Sequence, residues 1–221
     1  MPDYTGDVTP GGPPAVRDLP ALKLTKVAVG AMNNNAYLLE SKATGARVLI
    51  DAANEADTLL ALTGDRLDAV ITTHRHADHW QALRAVVTAT GATTYAGHDD
   101  TDGIPVHTDV PVEDGQQVRV GDIELDAIHL VGHTPGSIAL LYRDTADPDG
   151  VGHLFTGDCL FPGGIGNTEN DAERFASLYN GVVAKIFDRL PDDTWIYPGH
   201  GNDTTLGAER PRLEEWRARG W

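Results

Sequence analysis

The chain has little cysteine, little positive charge and no long apolar run, and each shortage excludes a class of protein. A single cysteine, Cys159, in 221 residues rules out an internal disulfide framework and a cysteine-rich zinc ribbon. Seventeen basic side chains stand against 33 acidic ones, a formal charge of −16, and no local basic patch interrupts the excess, so nucleic acid is not an expected partner. No apolar stretch approaches the roughly 20 residues of a membrane span. Residues 1–20 lack a basic start followed by an apolar core and so do not read as a signal peptide, which makes the cytoplasm the expected location. No internal repeat or coiled-coil pattern is present.

What is present fits one ordinary domain. Pro2, Pro10, Gly11, Gly12, Pro13, Pro14 and Pro20 mark residues 1–20 as a flexible N-terminal arm, and residues 21–221 are long enough to bury a core. Apolar stretches at residues 22–29, 36–39 and 47–50, separated by turn-forming residues, predict an antiparallel meander. A helix over 55–62, a short buried strand at 69–71 and a helix over 79–90, stopped by Gly91, follow. Further strands are predicted at 93–96, 117–120, 123–128, 138–142 and 153–155, the last two joined by the turn Asp147-Pro148-Asp149-Gly150. The acidic stretch 98–115 reads as surface. Helix returns over 172–189, a strand at 195–197 and a last helix over 208–219. Two batches of strands, each followed by helices, predict an α/β sandwich of two packed sheets with helices outside.

The densest chemistry lies in His74-Arg75-His76-Ala77-Asp78-His79. Residue frequencies would produce this pattern on the order of once in several hundred such chains. Three later positions match it in kind: His133 in Gly-His-Thr-Pro-Gly, Asp158 in Thr-Gly-Asp-Cys and His200 in Pro-Gly-His-Gly. Each stands among glycines after an apolar strand, so all three are expected at one edge of the fold, aimed outward. Five histidines and two aspartates are too many for one tetrahedral ion and suit a pair of metals sharing a carboxylate. Taken singly, Asp78 could cap the following helix and His133 or His200 could be turn residues; their joint occurrence favours metal. His98, His107, His129 and His153 lack such company and read as surface or core. Cys159 reads as a small buried thiol.

From about Leu22 to Arg212 these motifs and their order resemble the metallo-β-lactamase superfamily, and within it the glyoxalase II-like hydrolases. The resemblance implies an αββα four-layer sandwich of two mixed sheets. It implies that His74, His76 and His133 hold one metal, that Asp78, His79 and His200 hold another, and that Asp158 bridges them, with Asp78 and Asp158 counted as catalytic. Two divalent ions are implied, zinc first, with iron or manganese as alternatives, acting on a small-molecule acyl thioester through a hydroxide between the metals. Residues Thr204 to Arg210 look like the short ending of stand-alone glyoxalase II-like proteins. The Gly163 to Gly166 loop resembles the loop beside the metals, but Asn167 stands where those enzymes often have Arg, which leaves open a different thiol carrier or a broader substrate range. The same resemblance admits a persulfide dioxygenase with one iron on His74, His133 and Asp158, or a lactonase.

Overall fold

The computed structural model describes residues 4–64 and 66–220. Its first sheet has seven strands in chain order: β1 (Ala15–Asp18), β2 (Leu22–Val29), β3 (Asn34–Ser41), β4 (Arg47–Ile50), β5 (Ala69–Thr72), β6 (Thr93–Gly97) and β7 (Val110–Val112). β1 to β4 run antiparallel, and β4 to β7 run parallel. Helices α1 (Ala56–Thr63) and α2 (Leu83–Thr90) supply the first two crossovers between these parallel strands, and the third, from β6 to β7, runs through a 3₁₀ turn. The second sheet is built from β8 (Gln117–Val120), β9 (Ile123–His129), β10 (Ile138–Arg143) and β11 (Gly152–Gly157). After the small hairpin β12 (Leu160–Phe161) and β13 (Gly164–Ile165) and helix α3 (Ala172–Val182), β14 (Trp195–Pro198) and β15 (Thr204–Thr205) complete it in the order β15-β14-β11-β10-β9-β8. The chain closes with α4 (Leu206–Glu209) and α5 (Leu213–Arg219).

The layers follow from alternation along each strand. Tyr37 and Leu39 of β3 face the second sheet and pack with Phe155, Leu140 and Tyr197, while Ala36 and Leu38 face outward toward Leu59 and Leu83 of the first pair of helices. Both faces of the central strands are covered, which is why they read as nearly continuous apolar runs. On the far side, Phe175, Leu178 and Val182 of α3 and Trp216 of α5 cover Leu141, Leu154 and Ile196 of the second sheet. The result is the expected αββα sandwich of two mixed sheets.

Four local expectations are corrected. Where composition predicts a loose arm, residues 4–20 lie against the sandwich: β1 pairs with β2, Leu19 enters the core, and at the second sheet the Tyr4 hydroxyl donates to Asp203 at 2.7 Å. Tertiary contacts there outweigh the Pro and Gly content. The stretch 98–115 contains a 3₁₀ turn (His98–Gly103) and β7, and Asp100 is fully buried. The helix expected from His79 starts at Leu83, after a single 3₁₀ turn over Ala77–His79, and the Asp78 side chain caps neither. The last helix is divided around Pro211, in a 3₁₀ turn over Arg210–Arg212 between α4 and α5, because proline has no N–H for an interior helical bond. No helix among the described residues is long and apolar enough to cross a membrane.

Candidate metal centre

Every chemically conspicuous segment leaves a strand at the same edge. His74 follows β5, His133 lies in the β9–β10 connection, Asp158 directly follows β11, and His200 stands two residues beyond β14. A backbone bond from Gly199 N–H to the Gly157 carbonyl (2.8 Å) joins the His200 and Asp158 segments, and one from Asn35 N–H to the Gly199 carbonyl (2.7 Å) ties the former to β3. Position 199 must be glycine: a Cβ there would lie 2.2 Å from Asp158 Oδ1 and 2.7 Å from His79 Cε1.

All seven predicted residues come together. His74, His76 and His133 form one group and Asp78, His79 and His200 another, and within each the potential ligand atoms lie within 4.8 Å of one another. His74 Nε2 is 3.1 Å from His76 Nδ1 and 3.3 Å from His133 Nε2. Asp78 Oδ2 is 3.2 Å from His200 Nε2 and 3.5 Å from His79 Nε2. Asp158 sits between the groups, with Oδ1 3.4 Å from His79 Nε2, and Oδ2 3.4 Å from His200 Nε2 and 3.8 Å from His133 Nε2.

Residues that composition and spacing did not single out orient this set. Asp51, at the end of β4, accepts from the Thr73 N–H (2.7 Å), the Thr73 hydroxyl (2.8 Å) and His79 Nδ1 (2.8 Å). The Thr73 oxygen in turn accepts from His74 Nδ1 (3.1 Å). Asp51 adopts a left-handed backbone (φ 58°), a conformation uncommon for a residue with a side chain, which its three bonds hold in place. The Asn167 carbonyl accepts from His133 Nδ1 (2.8 Å), the Met32 carbonyl accepts from His200 Nδ1 (3.0 Å), and the Asn34 amide donates to Asp78 Oδ2 (2.9 Å). An acceptor on the outer nitrogen puts the proton there and leaves the inner nitrogen's lone pair facing the centre.

The electrostatics ask for a cation. Burial opposes a charge on His79, yet Asp51 and Asp158 outweigh it and push its pKa up to about 10. His200 is likewise raised to about 10 against burial, through hydrogen bonds to Asp158 and Asp78. Asp78 is held well below the usual carboxylate range, first by its bond to His200. Burial drives His74 the other way, well below the ordinary imidazole value, with His79 adding repulsion. Within this cluster His79 Nε2 and Asp158 Oδ1 are buried without a hydrogen-bond partner, an expensive state that a coordinated ion relieves. Imidazole nitrogens and carboxylate oxygens in this number are a donor set for first-row divalent metals, and the residues fit such ions.

Residues 29–200 match the metallo-beta-lactamase superfamily domain. The chain belongs to the metallo-beta-lactamase superfamily. Among its relatives, a hydroxyacylglutathione hydrolase of Polaromonas sp. is 37% identical over 173 residues, covering 77% of this chain; the chain spans only 63% of that relative's length. An uncharacterized protein of Mycobacterium leprae is 32% identical, with 85% of this chain and 95% of that protein covered. Of the solved superfamily folds, ETHE1 from Myxococcus xanthus superposes with a TM-score of 0.75 at 30% identity, covering 87% of this chain and 84% of that one. A protein solved in a di-iron-bound form is similar at a TM-score of 0.67 and 32% identity, with 84% and 96% covered. The cluster and the family together make this a divalent-metal enzyme site.

Proposed function

We propose that this protein is a metallo-hydrolase that cleaves acyl thioesters with two divalent ions, most simply zinc. His74, His76 and His133 would hold one ion, Asp78, His79 and His200 the other, and Asp158 would serve both. When bound, such ions lower the pKa of coordinated water toward about 7 and polarise a carbonyl oxygen. The carrying observation is the convergence of seven donors around the buried, unpartnered His79 Nε2 and Asp158 Oδ1.

The chain's own residues set the rest of the chemistry. Burial alone would raise the Asp158 pKa, but the neighbouring His200 and His79 imidazoles hold it well below the usual range, so Asp158, like Asp78, is a carboxylate at neutral pH and offers no proton to a leaving group. A thiolate leaves without one, which favours thioesters over amides. Cys159 adjoins Asp158 but is no nucleophile: it is buried, and burial pushes its thiol well above the ordinary range. Substrate has room on two sides. A cleft of about 370 Å³ is bordered by Arg75, His76, His133, Glu169 and Arg174. Another of about 390 Å³ is bordered by Phe161, Ile165, Asn167, Asn170 and Arg219. The hydroxyacylglutathione hydrolase relatives support the thioester class, while Asn167 and the second cleft leave the carrier to be identified by a panel of thiols.

The Asp158→Ala variant tests the shared carboxylate. Thiol release should fall to background and metal analysis should find most of one ion lost, because one side chain serves both positions. Retained activity with full metal content would overturn the assignment.

A further inference from the structure

A carboxyl group outside the seven donors ties together the two segments that carry the first group of histidines. Asp100 lies in the 3₁₀ turn after β6 and is fully buried. Its Oδ2 accepts from the Arg75 N–H (2.9 Å) and from the Thr134 hydroxyl (2.5 Å), and its Oδ1 accepts from the Gly136 N–H (2.9 Å). Arg75 is flanked by His74 and His76, and Thr134 follows His133. One side chain therefore spans from the loop after β5 to the loop after β9 and makes no hydrogen bond to any of the three imidazoles.

The carboxyl is not spent on its own turn, which has no side-chain cap. The fit beneath the second loop is tight: a Cβ on Gly136 would lie 2.3 Å from the Asp100 nitrogen. The Thr134 hydroxyl is also 2.5 Å from the Ser137 hydroxyl, which fixes its orientation toward the carboxylate. Because the imidazoles are mounted on the backbone that Asp100 grips from two sides, a slack bond at either end changes the separation of His133 from His74 and His76.

We propose that Asp100 is a positioning residue that sets the register of His74 and His76 against His133 and so the affinity of the first metal position. The inference rests on the two-ion reading above. Its test uses the full chain loaded with Co(II), titrated with a chelator and followed by visible absorption. The first position is identified as the band missing in His76→Ala. Asp100→Asn should weaken that ion about 10–100-fold, the usual cost of losing an outer partner of a metal ligand, and leave the other within about twofold. Thr134→Val, which removes one donor and keeps the carboxylate, should give a smaller loss at the same ion. Wild-type affinity for both ions in a folded Asp100→Asn protein would overturn the proposal. Equal weakening of both ions in step with the melting temperature would overturn it too, since that is the mark of a merely structural role. A wild type that takes up a single ion overturns the two-ion reading instead, and the proposal is then judged on that ion's affinity in the same two variants.

Discussion

Four of the five histidines at the centre face it with Nε2, and each does so because an oxygen holds its Nδ1: Thr73 for His74, Asp51 for His79, Asn167 for His133 and Met32 for His200. A sixth histidine, His153, is as buried as any of them and has a different task. Its Nδ1 accepts from the Tyr197 hydroxyl (2.9 Å), which itself accepts from Arg17 (3.0 Å). Burial, reinforced by Arg17, pushes its pKa down to about 4 from 6.5. Below pH 6.5 the unfolded chain takes up a proton that the native state refuses until about pH 4. Stability should therefore fall as the pH drops through that window, by about 3 kcal/mol when complete. Urea midpoints at pH 7 and pH 4.5 should show a smaller acid loss in His153→Gln than in the wild type. An equal loss in both would contradict the assignment.

Among the elements, the N-terminal segment and the loop after β14 share one fastening. Lys26 of β2 is completely buried and donates to the Gly6 carbonyl (2.8 Å), the Gly201 carbonyl (2.8 Å) and Asp203 Oδ1 (2.7 Å). Lys26→Met would leave Asp203 buried without its cation, at a cost of about 3–5 kcal/mol, read as a lowered denaturant midpoint. An unchanged midpoint would mean the pair contributes nothing. This fastening was not legible in the sequence, because a lone Lys in a strand and prolines in an arm carry no sign of each other. The central strands were legible, since apolar runs bounded by turn residues leave few alternatives, and so was the convergence of the seven side chains, four from one dense motif and three set among glycines at strand ends. Asp51 and Asp100 were hidden among 24 aspartates, and only the folded chain separates a buried carboxylate from a surface one. The three-residue β7 and the break at Pro211 were missed for a related reason: they are too short for a period to show.

At the scale of the whole molecule, two sheets with covered faces leave one common edge for chemistry, and four strand ends deliver donors to it. The formal charge of −16 suits a centre that gathers divalent cations more than one that meets phosphate chains. Burying carboxylates and imidazoles without their ion is costly, so metal loading and the integrity of this edge belong together. If this edge hydrolyses a thioester, the reaction consumes water but no oxygen. The direct measurement is thiol release from a 2-hydroxyacyl thioester by the metal-loaded protein with oxygen excluded. Release at the same rate as in air, with two ions per chain, is expected. No release from any thioester, together with oxygen uptake on a persulfide by protein holding one iron, would contradict the hydrolase reading.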